Sequence, residues 1–147
     1  MDWTLEVVVV PVSDLAASIA FYRDQVGFDL DHETKNEFMH VAQLTPRGSG
    51  CSIVIGNLPS QSEMAPGSLK GVQLVVADAA AAREELVSRG VEASEITVFD
   101  ERDGGTFFGF SEPGAISDCE GRLPMTIEQP DPRGVSWATC MNSFLVS

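Results

Sequence analysis

The 147-residue sequence has little of what several protein classes require. Its longest apolar run, Val7–Val12, is far shorter than the roughly 20 residues of a membrane-spanning helix. Three scattered cysteines, Cys51, Cys119 and Cys140, show no CxxC spacing. That excludes a disulfide framework or a thiolate zinc site and fits a reducing, cytoplasmic setting. No basic n-region opens the chain, so no secretory signal is expected. Basic residues are few: nine Lys and Arg stand against 22 Asp and Glu, for a net charge of −13. Without a basic stripe to neutralise phosphates, nucleic acid is excluded as a partner. The acidity keeps the chain soluble, and it would also draw in a cationic small molecule. No Gly-rich phosphate loop and no Ser/His/Asp or Cys/His arrangement can be assembled.

What is present is a pattern that occurs twice. Residues 4–10 form a Val-rich strand pattern that breaks at Pro11, and Asp14 is placed to cap a helix. Leu15, Ile19, Tyr22 and Val26 recur at helical spacing, and Gly27 closes the run. Strands are predicted over Phe28–Glu33, Phe38–Leu44 and Cys51–Ile55. After a polar stretch at 58–69 the order strand, Asp, helix, Gly returns. Asp78 follows Asp14 at an offset of 64 residues, Val76 aligns with Val12, and one gap brings Gly90 onto Gly27. Short strands follow near Ile96–Phe99, Thr106–Phe110 and Met125–Glu128.

The expected fold is a single α+β domain of two βαβββ repeat modules, residues 4–57 and 70–130. A linker joins them, and an atypical tail follows at 131–147. One such module leaves a sheet face uncovered, so two pack into a curved mixed sheet around a cleft.

Several residues are candidates for the site. On the third strand Phe38, His40, Ala42 and Leu44 share one face, and Met39, Val41 and Gln43 the other. The sequence leaves open which face lines the cleft. His40 is a candidate acid or base, or a hydrogen-bonded structural residue. Gln43 is a candidate for orienting a ligand without titrating. Phe108 and Phe110, with Phe107, form either core or a stacking wall for a planar or cationic ligand.

The stretch "PVSDLAASIAFYRDQVGFDLDHE" resembles the opening of the vicinal oxygen chelate superfamily, which includes glyoxalase I, extradiol dioxygenases and the fosfomycin and bleomycin resistance proteins. Members read D-L-x-x-S-x-x-F-Y and then L-G-F; the matching residues are Asp14, Leu15, Ser18, Phe21, Tyr22, Gly27 and Phe28. "VVADAAAAREELVSRGVE" and "GTFFGFSEP" resemble segments of the second half, so the likeness covers roughly residues 5–113. It implies the fold more strongly than any reaction, because many chemistries share that fold.

The family's enzymes hold a divalent metal with His and Glu from four strand positions, two in each half. The position of the first-half His is Val7 here, and its second-half equivalent is Gly71. The closing strand of the first half offers only Ser52, and Glu128 alone resembles a family ligand. No metal and no cofactor is therefore expected. The resemblance is to the bleomycin-resistance type. It implies a homodimer that binds a small, cationic or aromatic molecule in a metal-independent cleft, with Gln43, Ser52, Phe108 and Phe110 as ligand-binding candidates. The alternative is a glyoxalase-like lyase or isomerase, or a dioxygenase-type enzyme, using His40, Glu128 or an atypical metal site. Beyond Pro113 the sequence departs from the family, and an arm docked on a partner subunit is one reading of residues 131–147.

Overall fold

A computed structural model describes residues 1–57, 64–66, 68–69, 72–98, 106–110 and 125–129; at 57, 98, 107–110 and 125–129 the description is of the backbone. The linker expected at 58–69 therefore lies largely outside the described residues, as do Gly71 and the tail at 131–147.

The first strand, β1, spans Val7–Val10, and α1 spans Leu15–Ala20. Three strands follow: β2 Asp29–Lys35, β3 His40–Thr45 and β4 Ser52–Asn57. After the linker come β5 Val72–Val75, α2 Ala79–Ser88, β6 Thr97–Val98, β7 Thr106–Phe110 and β8 Met125–Gln129. The strands form two four-stranded sheets, ordered β1-β4-β3-β2 and β5-β8-β7-β6. The sheets are mixed: β1 pairs with β4, and β5 with β8, in parallel, while the remaining pairs are antiparallel. The fold is α+β. No helix among the described residues is long and apolar enough to cross a membrane.

Both helices begin at the aspartates marked by the sequence. Asp14 Oδ1 accepts from the Ala17 amide at 3.0 Å, and Asp78 Oδ1 from the Ala81 amide at 2.9 Å. Each carboxylate satisfies one of the orphan donors of a helix N-terminus. Asp14→Ala and Asp78→Ala should each lower stability by about 1 kcal/mol. The double variant should lose their sum, since the two caps share no contact, and urea unfolding of the three proteins checks this.

The first helix differs from the expectation of one continuous α-helix to Val26. After Ala20 it widens into a π-helical turn, Phe21–Val26. The amides of both Gly27 and Phe28 donate to the Tyr22 carbonyl, at 2.9 and 2.8 Å. The wider turn seats two successive aromatic rings in the core. Phe21 and Tyr22 are both buried and meet edge to face, with centroids 5.1 Å apart, and Tyr22 stacks on Phe28 at 5.8 Å. Gly27 then ends the segment at φ 90°, a conformation that glycine adopts without a Cβ clash.

Helix α1 packs on β3 and β4, and α2 on β7 and β8. The buried cluster between helices and sheets draws Val10, Ile19, Leu44 and Ile55 from the first half and Ala79, Leu86 and Val91 from the second. Leu44 and Ile55 are 0% exposed.

Candidate functional site

Burial along β3 decides which face is which. Ala42 and Leu44 are sealed in the core beneath α1, so the alternating residues Val41, Gln43 and Thr45 turn to the opposite face, on which no described helix packs. Strand register carries that face to the neighbours. On β2, His32 lies opposite Gln43 and Thr34 opposite Val41. On β4, Val54 lies opposite Gln43 and Gly56 opposite Val41. On β1, Val7 lies beside Ser52 and Val9 beside Val54. The open face of the first sheet is thus walled by Val7, Val9, Val41 and Val54 and flanked on β2 by His32 and Thr34, which hydrogen-bond each other, with Gln43, Thr45 and Ser52 gathered at one place.

Those polar groups form a chain across three strands. Gln43 Nε2 donates to Ser52 Oγ at 3.2 Å, and the Ser52 and Thr45 hydroxyls meet at 2.7 Å. Thr45 Oγ1 in turn donates to the Asp31 carboxylate. Ser52 is only 7% exposed, and a hydroxyl so buried is costly unless it is bonded; here it has two partners. Asp31 reaches this face because the register of β2 against β3 shifts between Leu30 and His32, leaving Asp31 without a cross-strand partner.

The residues singled out in the sequence fall into three groups. Gln43 and Ser52 are brought together and hydrogen-bonded. His40 lies in the row of Ala42 and Leu44, on the helix-covered side of β3, with its Nε2 2.8 Å from Glu33 Oε1. Glu128, Phe108 and Phe110 belong to the second sheet, and their side chains lie outside the described residues. By register Glu128 is opposite Val75 and Phe107. Phe108 and Phe110 are opposite Ile127 and Met125, in the rows of Leu74 and Val72. The sequence reading passed over Thr45 and Asp31. Thr45 could have been found two residues beyond Gln43 on the same face; Asp31 could not, because its placement follows from an irregularity in pairing.

The first sheet does not fit the family's metal. The two positions that would supply its ligands are neighbours, Val7 beside Ser52. One is an alkyl side chain, and the other is a buried hydroxyl already committed to Gln43 and Thr45. A divalent ion requires anionic oxygen, imidazole or thiolate donors. Among the described residues no group of three or more His, Cys, Asp or Glu is placed to hold one.

A perturbed carboxyl lies elsewhere. The Arg23 guanidinium donates two hydrogen bonds to Asp24, at 2.6 and 2.7 Å, and holds that carboxyl below its usual range. This exposed pair sits on the π-helical turn. It borders a groove of about 900 Å³ between the Gly27 turn, the Pro46–Ser49 turn, β5 and α2. A smaller concavity of about 400 Å³ runs along α1. Neither is lined by Gln43 or Ser52.

Two mixed sheets of one strand order, each with a helix between its first two strands, define a glyoxalase-like fold. Residues 4–118 match the Glyoxalase/Bleomycin resistance protein/Dioxygenase superfamily, and the chain belongs to it. Among solved structures the chain is similar to TnmS3, an antibiotic binding protein from Streptomyces sp. CB03234. The two are 27% identical with a TM-score of 0.68, covering 88% of this chain and 98% of the other. It is also similar to a glyoxalase/bleomycin resistance protein from the same Streptomyces, at 28% identity and a TM-score of 0.65, covering 87% of this chain and 100% of that one. A superfamily member from Sphaerobacter thermophilus DSM 20745 shares the fold at 22% identity and a TM-score of 0.69, covering 87% and 98%. No curated protein matches the chain.

Proposed function

We propose that this protein binds a small molecule against the open face of the first sheet and breaks no bond in doing so. The observation that carries this reading is the chain of Gln43, Ser52 and Thr45 set beside a wall of Val7, Val9, Val41 and Val54. Apolar surface supplies binding free energy, and a few fixed polar groups supply orientation. The similar Streptomyces protein described as antibiotic binding supports the same reading. A cationic or aromatic ligand suits the net charge of −13, and the Val7–Ser52 pair supports binding without a metal or other cofactor. A reducing, cytoplasmic location is part of the reading, supported by Cys51, a free thiol. So is a homodimer. Among the described residues β1 is an edge strand, and just before it Trp3 and Leu5 are 87% and 67% exposed, large apolar side chains that a second copy would cover.

One observation favours the rival reading of a lyase or isomerase. His40 is held by Glu33, as a general base is often held by a carboxylate. It stands in the opposite row of β3 from Gln43, so the two readings separate by mutation. A thermal-shift screen of cationic aromatic compounds supplies the ligand. Gln43→Leu should then weaken its binding about tenfold, the worth of one well-placed hydrogen bond, while His40→Ala leaves it unchanged. Loss of binding in His40→Ala with Gln43→Leu unaffected would reject the proposal.

A further inference from the structure

The direction of the hydrogen bonds around Gln43 can be worked out from the groups themselves. The Asp31 carboxylate only accepts, so the Thr45 hydroxyl hydrogen is spent on it. The 2.7 Å contact between the Thr45 and Ser52 oxygens then needs a hydrogen, and only the Ser52 hydroxyl can supply it. With that hydrogen committed, Ser52 Oγ meets Gln43 as an acceptor, and the Gln43 group facing it must be the amide nitrogen. The reversed amide would set Gln43 Oε1 against Ser52 Oγ with no hydrogen between them, so it is excluded. All donors of the chain thus run one way, from Gln43 through Ser52 and Thr45 to Asp31.

We infer that this relay makes the open face selective for ligands that carry a hydrogen-bond donor, an N–H or O–H group on an apolar body. The inference rests on the binding reading above and adds the chemistry of the ligand. Gln43 Oε1 has no hydrogen-bond partner among the described residues, and neither has the second oxygen of Asp31. Both hydroxyl hydrogens and one amide hydrogen are consumed inside the chain, so at the Gln43 end of the face the chain offers a single Gln43 N–H against these two acceptor oxygens, while the neighbouring His32 and Thr34 are hydrogen-bonded to each other. A ligand offering only acceptors leaves a half-buried carbonyl unpaired, whereas one with an N–H or O–H group satisfies it. The valines at positions 7, 9, 41 and 54 take the apolar body. Ser52 and Thr45 are positioning residues here: they reach the ligand through Gln43.

The test uses a panel of small phenols, anilines and amines, each paired with its methylated, donor-free analogue. Binding to the 147-residue chain is followed by the NMR signals of the Gln43 side-chain amide and the Val54 methyl groups. Donor-bearing members should bind about tenfold more tightly than their partners. Thr45→Val frees the Ser52 hydrogen and lets the Gln43 amide turn over, so the preference should fall to near unity while binding persists. Ser52→Ala serves the same purpose if Thr45→Val does not fold. Equal binding of the paired compounds to the unaltered protein overturns the inference alone, as does a preference that survives both variants. If no member of the panel moves the Gln43 or Val54 signals, the binding reading falls and the inference with it.

Discussion

Leu44→Ala should lower the unfolding free energy by about 3 kcal/mol, the mid-range loss for truncating a fully buried leucine. Leu44 is 0% exposed and lies opposite Ile53 in the layer between β3, β4 and α1. Truncation leaves a void that strands held by backbone pairing on both sides cannot collapse into. For a chain of this length that corresponds to a fall in Tm of roughly 6–12 °C. Val87→Ala, at an exposed position of α2, should shift stability by less than about 0.5 kcal/mol. Calorimetry and urea titration of both variants measure this. A Leu44→Ala loss below about 1 kcal/mol would mean that the two faces of β3 are exchanged, which would displace Gln43 from the open face.

Gly56→Ala should be at least as damaging, and for a different reason. Gly56 lies on β4 opposite Val41, with φ at 125°, a region L-residues rarely adopt. A Cβ built there falls 2.3 Å from the His40 carbonyl oxygen and 2.9 Å from the Val41 Cα. Both obstacles are backbone of the paired strand, so relief requires separating β3 from β4. Strain of about 1–3 kcal/mol from the dihedral alone, plus disrupted pairing, puts the expected loss above about 3 kcal/mol. Gly48→Ala isolates the two contributions. Its φ is 81°, but nothing lies within 4 Å of the added carbon, so it should cost only about 1 kcal/mol. Equal losses at the two glycines would show that the close approach of β3 to β4 contributes nothing.

Much of the architecture was legible in the chain. Two aspartates 64 residues apart, each followed by a helical pattern and a glycine, marked both helices and their caps. Strand-type runs bounded by turn formers located β2, β3 and β4 to within two residues. The π-helical turn was not legible, because the spacing of Leu15, Ile19, Tyr22 and Val26 fits an ordinary α-helix; the widening follows from seating Phe21 and Tyr22 side by side in the core. The site was half legible. Alternation put Gln43 on one side of β3 and His40 on the other, but it could not say which side the helix covers; burial of Ala42 and Leu44 decides that. Ser52 stood out because it occupies a ligand position of the family, yet its hydrogen bonds depend on how β4 pairs with β3. Asp31 enters through a register shift, which no sequence period encodes.

The central claim is that a small molecule docks on the open face of the first sheet, at Gln43. NMR mapping of a ligand from the cationic aromatic screen tests it most directly, with the Gln43 side-chain amide and the methyl groups of Val7, Val9 and Val54 as reporters of one face and the His40 ring and Leu44 methyl groups as reporters of the other. The predicted result is that the first set shifts in proportion to bound ligand while the second stays still. Shifts confined to His40 and its Glu33 partner, with Gln43 and Val54 unmoved, would contradict it.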